Sequence, residues 1–135
     1  MAGYSSNPLW KKLGYKPGTC AWVDGAPRNY RAMLQLPADV TVTWLARPGA
    51  TLSLAHVFVT EAAALRRQVA ALRRQIVPDG TIWVSWPKKA SGVATDVTED
   101  TVRAVALPLG LVDIKVCAVD EVWSGLKLVI RRTER

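Results

Sequence analysis

The chain has 135 residues, half of them hydrophobic, and 18 Lys and Arg against 11 Asp and Glu give it a formal charge of +7. That length suits one folded domain with a real core, and the apolar content excludes a disordered chain. No apolar run approaches the roughly 18 residues of a membrane span, and the positive balance favours anionic partners without naming one.

The chain starts MAGYSSNPLWKK, with no basic segment leading into an apolar run, so a cytoplasmic protein without a signal peptide is expected. Within a lead-in segment, residues 1–15, Asn7 and Pro8 read as the cap and first residue of a short helix, and Gly14 as its C-terminal cap. Leu9 and Leu13 would share one face and Trp10 would pack on the domain body, with Lys11 and Lys12 in solvent. Lys16, Pro17 and Gly18 then make a turn. Thr19 to Val23 forms the first strand, followed by the turn Asp24, Gly25, Ala26, Pro27 and a helix of about ten residues reaching Leu36. A G-x-G-x-x-G fingerprint is missing, since only Gly25 is present, and Pro27 removes one N–H donor from any anion cradle. Asp24 and Gly25 stay as candidate ligand contacts beside the simpler reading of a structural turn.

Val40, Val42 and Trp44 alternate with Thr41, Thr43 and Leu45, which marks a second strand ended by Arg47, Pro48 and Gly49. Nucleotide-binding folds place an acidic residue there to hold ribose hydroxyls, whereas an arginine suits a phosphate. Leu54 to Thr60 is a buried third strand containing the single histidine, His56, read as a hydrogen-bonded structural residue rather than a base. From Glu61 a helix follows in which AALRRQV and AALRRQI repeat at seven residues. Leu65, Val69, Leu72 and Ile76 make its apolar stripe, and Arg66, Arg67, Arg73 and Arg74 lie elsewhere, either solvated or meeting a partner.

The stretch from Pro78 to Thr101 organises the rest. After a turn at Pro78, Asp79 and Gly80, the strand Thr81 to Trp86 has few polar positions and reads as central and covered on both faces. Ligands of open α/β sheets bind beyond the carboxyl ends of such strands. Trp86, Lys88, Lys89, Ser91 and Gly92 are therefore candidate anion contacts, the competing reading being a solvated loop that joins strand to helix. Asp96 or Thr98 can cap that helix, with Glu99 and Asp100 in its first turn and Val102, Val105, Ala106 and Leu109 on its apolar face. Pro108 and Gly110 close it. Val112 to Arg132 alternates twice and reads as a β-hairpin with Ser124 and Gly125 at the turn, set near the sheet edge. Asp120 and Glu121 lie beside Trp123 near that turn, where acidic and aromatic groups could contact a ligand, the simpler reading being ordinary turn composition. Cys20 and Cys117 lack the spacing of a zinc or redox motif and are expected to be free thiols; no metal site is expected.

This order of elements resembles the S-adenosylmethionine-dependent methyltransferase fold over roughly Lys16 to Arg132, shortened between Arg47 and Leu54. More specifically, PLWKKLGYKPG, SWPKKASGVATDVTED and VDIKVCAVDEVWSGLKLVIRR resemble a family of small bacterial proteins of unknown function, which brings no catalytic residues with it. The resemblance implies a single three-layer, Rossmann-like α/β domain over residues 1–135, mostly parallel with a C-terminal antiparallel hairpin. Its strand order would be second, first, third, central, last, next-to-last.

The departures from working methyltransferases fall at ligand positions. The glycine turn is reduced, the acidic ribose contact has no counterpart near Arg47, and Thr60-Glu61 stands where an Asn-Pro-Pro-Tyr type motif is expected. A positive site also suits a sulfonium cofactor poorly. The expectation is a methyltransferase-like module without catalysis that binds an anionic small molecule or a protein partner and needs no cofactor. One alternative is an S-adenosylmethionine-dependent methyltransferase with an atypical site. Another, nucleic-acid binding, rests on charge alone, because no RNA-binding aromatic signature, zinc finger or helix-turn-helix pattern accompanies it. The sequence fixes no oligomeric state.

Overall fold

The computed structural model describes residues 7–135. A short helix α1 (Leu9–Leu13) leads into β1 (Thr19–Asp24), α2 (Tyr30–Leu34), β2 (Val42–Trp44), β3 (Leu54–Phe58), α3 (Ala62–Gln75) and β4 (Thr81–Pro87). Then come α4 (Glu99–Ala106), β5 (Leu111–Ala118) and β6 (Trp123–Ile130). The six strands form one sheet in the order β2-β1-β3-β4-β6-β5, as the methyltransferase resemblance implies. β2, β1, β3 and β4 are parallel, and β6 runs antiparallel to both β4 and β5.

Strand alternation sends side chains to two cores, one on each face of the sheet. Ala55, Val57, Ile82 and Val84 pack with Leu65, Val69 and Leu72 of α3 and with Val102 and Ala106 of α4. On the other face Leu54, Phe58 and Trp83 meet Leu13 of α1 and Tyr30 and Leu34 of α2. This is a three-layer α/β arrangement with Thr81–Pro87 as an interior strand, buried at every position after Thr81. The heptad stripe of α3 faces the sheet as its spacing predicts, and burying each such side chain stabilises by about 1.5–3 kcal/mol. Arg73 departs from the solvated reading, because its Nε donates to the Leu109 carbonyl at 2.8 Å.

Other differences are local. Pro8, rather than Asn7, occupies the N-cap of α1, and residues 1–6 of the expected lead-in lie outside the described residues. Helix α2 has five residues instead of about ten, since Pro27 to Asn29 are spent in a turn and Gln35 enters the left-handed region at φ 55°. Ser124 and Gly125 belong to β6, not to the hairpin turn. The turn lies at residues 119–122, where Asp120 Oδ1 accepts from the backbone N–H groups of Val122 at 2.8 Å and Trp123 at 2.7 Å. Of the hairpin only β5 is an edge strand, and it exposes Ile114 and Val116; β6 is flanked by β4 and β5. Thr98 caps α4 in a reciprocal box with Thr101, which settles the choice between Asp96 and Thr98.

Candidate ligand cleft

Where β1 ends, the chain turns at Gly25 with φ 74°, and a Cβ there would sit 2.7 Å from the Phe58 carbonyl oxygen. Only glycine lets the turn press against the end of β3 in this way. Together with the start of α2 and the end of β2, that turn encloses a cleft of about 400 Å³. Gly25, Ala26, Arg28, Arg31 and Trp44 line it, and no carboxylate does. The Arg31 guanidinium lies 4.2 Å from the centre of the Trp44 ring, and the Tyr15 ring meets the same indole at 5.8 Å. A guanidinium held over an aromatic face is positioned by cation–π attraction and keeps N–H donors to offer a ligand. Neither Arg28 nor Arg31 forms an ion pair among the described residues.

Behind the cleft runs a buried polar chain. The Tyr30 hydroxyl lies 2.7 Å from that of Tyr15 and 2.8 Å from His56 Nδ1, and His56 Nε2 lies 2.7 Å from Ser85 Oγ. Burial lowers the His56 pKa to about 3, so the ring is neutral at physiological pH. Burial raises both tyrosine hydroxyls above their ordinary range. With His56 fully enclosed and stacked on Phe58 at 4.3 Å, this chain is a structural network, in keeping with the reading of His56 from sequence.

The candidate residues do not converge. Gly25 lines the cleft, whereas the neighbouring Asp24 accepts a 2.7 Å hydrogen bond from Gln68 Nε2 and so ties β1 to α3. Trp86 is 7% exposed and belongs to the core beneath α3 and α4. Lys88 Nζ donates to the Asp120 carbonyl at 2.7 Å, and the Ser91 hydroxyl donates to the Lys88 carbonyl at 2.6 Å, so both hold the loop to itself and to the hairpin. Lys89 is exposed in a short 3₁₀ turn that Gly92 ends at φ 76°. Farther along, Asp96 accepts from the Ala62 N–H at 2.7 Å and Thr95 donates to the Thr60 carbonyl at 2.7 Å, which folds the loop over the exit of β3.

Sequence reasoning passed over Arg28 and Arg31, which sit three apart at the mouth of α2. Their spacing beside the first strand's exit was the available signal. Among the described residues no group of three His, Cys, Asp or Glu is placed to hold a metal, and no helix is long and apolar enough to cross a membrane.

No sequence-family model matches the chain, and no curated protein matches it in sequence. Solved structures do match in fold. One is an S-adenosylmethionine-dependent methyltransferase from Aquifex aeolicus, 11% identical with a TM-score of 0.62, covering 89% of this chain and 87% of that one. Another is magnesium protoporphyrin IX methyltransferase from Synechocystis PCC 6803 with bound S-adenosylmethionine, 9% identical with a TM-score of 0.58 over 90% of this chain and 74% of that one. A third is an O-methyltransferase from neocarzinostatin biosynthesis in complex with S-adenosylmethionine, 11% identical with a TM-score of 0.64 over 96% of this chain and 51% of that one. Likeness at such identities establishes the methyltransferase-like, Rossmann-like fold alone.

Proposed function

We propose that this chain is a methyltransferase-like module that performs no methyl transfer and binds a small anionic ligand in the cleft at the carboxyl ends of β1 and β2. The observation that carries this reading is that Arg28, Arg31 and Trp44 share a lining without a carboxylate, with Arg31 set over the Trp44 ring. Guanidinium forks match carboxylate and phosphate geometry, and Trp44 supplies a flat apolar wall. A cationic sulfonium gains nothing from two guanidinium groups. Kinship with the small bacterial family, a cytoplasmic location and a protein partner as an alternative occupant belong to the same reading.

The second reading, an S-adenosylmethionine-dependent enzyme with an atypical site, is favoured by one observation: a methyltransferase of this fold carries that cofactor. Calorimetry separates the two, with adenosine monophosphate as the anionic probe and S-adenosylmethionine and its demethylated product as competitors. The phosphate probe should bind, and Arg31→Ala should weaken it about tenfold, a loss of about 1.4 kcal/mol. A low micromolar dissociation constant for S-adenosylmethionine, roughly −8 kcal/mol, would decide for the enzyme. Failure of the probe to bind would remove the anion reading.

A further inference from the structure

At the opposite end of the sheet, where the parallel strands begin, a second and more enclosed cavity of about 230 Å³ opens beside the end of α1. Its walls include Gly14, Lys16, Asp79, Thr81 and Lys127. Lys127 stands opposite Trp83 across the β4 and β6 register, which turns it toward the face that carries α1, and it is half-buried. An ideal Cβ at Gly14 would lie 4.0 Å from Lys127 Nζ, which places the ammonium against this wall.

The charges here are unmet. Neither Lys127 nor Lys16 makes a side-chain ion pair or hydrogen bond among the described residues, and the same holds for the Asp79 carboxylate and the Thr81 hydroxyl. The other hydroxyls of the cavity are spent, Thr19 donating to the Lys16 carbonyl at 2.8 Å and Ser53 to the Cys20 carbonyl at 3.2 Å. Lys115 stands on the neighbouring strand directly across from Lys127 and adds a like charge. Burial first, and then Lys115, hold the Lys127 pKa below the ordinary lysine value. A partly desolvated ammonium that forms no ion pair is costly, and an anion held against it offsets that cost.

We infer that this cavity is a site for a small oxyanion that carries its own proton, with inorganic phosphate as the fitting class. Lys127, Lys16 and Thr81 supply donors to the unprotonated oxygens. Asp79 can only accept, so it meets a P–O–H group and repels an oxyanion without one. At neutral pH inorganic phosphate has at least one such group and sulfate has none, which makes the cavity selective between two ions of nearly equal shape.

An amide NMR titration with sodium phosphate, run in parallel with sodium sulfate at matched ionic strength, tests this. Phosphate should shift Gly14, Leu54, Thr81 and Lys127 in a titration separable from any response of Gly25 and Arg31 in the other cleft, and at Lys127 sulfate should bind at least about tenfold more weakly. Lys127→Gln should weaken phosphate by about tenfold or more, and Asp79→Asn should abolish the preference over sulfate. Where Lys127→Gln fails to fold, Lys16→Ala replaces an exposed side chain and serves the same purpose. The inference is overturned by no response to phosphate at Gly14, Thr81 and Lys127, by shifts confined to Gly25 and Arg31, by equal responses of the cavity to the two ions, or by undiminished binding in the folded lysine variant.

Discussion

The Tyr30 hydroxyl, carried by a five-residue helix, lies 2.8 Å from Nδ1 of His56 in the middle of β3. It joins α2 to the sheet through a polar contact inside an otherwise apolar layer, and the chain continues to Ser85 of β4 at 2.7 Å. Every buried side-chain polar atom among the described residues has a partner, so this network satisfies itself without a ligand.

That enclosure makes stability depend on pH. Burial lowers the pKa of folded His56 to about 3, against 6.5 for an ordinary histidine. Between those values the unfolded chain binds the additional proton, so stability rises with pH through this window and is lost as pH falls from 6.5 toward 3. At about 1.4 kcal/mol per unit, roughly 2 kcal/mol should be lost by pH 5. Urea midpoints at pH 7 and pH 5 measure it, and His56→Gln, less stable overall, should have a much flatter profile. An unchanged wild-type midpoint would mean that the ring accepts a proton without unfolding.

A pair of alanine substitutions separates backbone strain from collision. Gly18 and Gly25 both have positive φ, 88° and 74°, but a Cβ at Gly18 meets nothing within 4 Å, while at Gly25 it meets the Phe58 carbonyl. Gly18→Ala should cost about 1 kcal/mol from strain alone. Gly25→Ala should cost roughly 2–3 kcal/mol and also disturb the cleft. Equal losses in denaturant melts would contradict the close approach of the two strand ends.

Much of this architecture was legible and the cleft was not, for a physical reason. The seven-residue spacing of Leu65, Val69, Leu72 and Ile76 encodes one buried face directly, and the strand order followed from the likeness to methyltransferases. Ser124-Gly125 has turn chemistry, yet Gly125 pairs within β6 opposite Ser85 and Cys117, where a Cβ would come 3.2 Å from the Trp83 ring. That constraint comes from a strand forty residues away and leaves no local mark. The partners of His56 are likewise 26 and 29 residues distant. Trp86 at a strand's carboxyl end looked available for ligand because periodicity does not say that the following loop and α4 close over it.

The thiols offer an independent check on strand order. Cys20 is on β1 and Cys117 on β5, with β3, β4 and β6 between them, and both are free. Strands spaced about 4.8 Å apart put their Cα atoms far beyond the roughly 7 Å that a disulfide can bridge. Titration of denatured, non-reduced protein should therefore find two thiols. Burial also raises the Cys117 pKa, so in the native protein Cys20, which is the more exposed, should react first. An intramolecular bridge would overturn the sheet order.

The two loop lysines should behave differently from each other. As a solvated pair, Lys88 and Lys89 would both be replaceable by Ala within about 0.5 kcal/mol. Lys89 fits that description, being exposed and making no ion pair or side-chain hydrogen bond among the described residues. Lys88 does not. Its Nζ donates to the Asp120 carbonyl at 2.7 Å while its backbone N–H donates to the Val122 carbonyl at 2.7 Å, so one residue fastens the end of β4 to the β5–β6 turn twice. Lys88→Ala removes the first bond and keeps the second. A charge-assisted hydrogen bond is worth about 1.5–3 kcal/mol, and partial exposure of this one puts the expected loss near 1 kcal/mol. Lys89→Ala should be neutral, and the double variant should match Lys88→Ala. Hydrogen exchange should locate the effect, with the Val122 and Trp123 amides losing protection in Lys88→Ala while those of β1 and β3 keep theirs. Equal stability of the two single variants would return the Lys88 side chain to the solvent and leave the turn held by Asp120 and the backbone bonds.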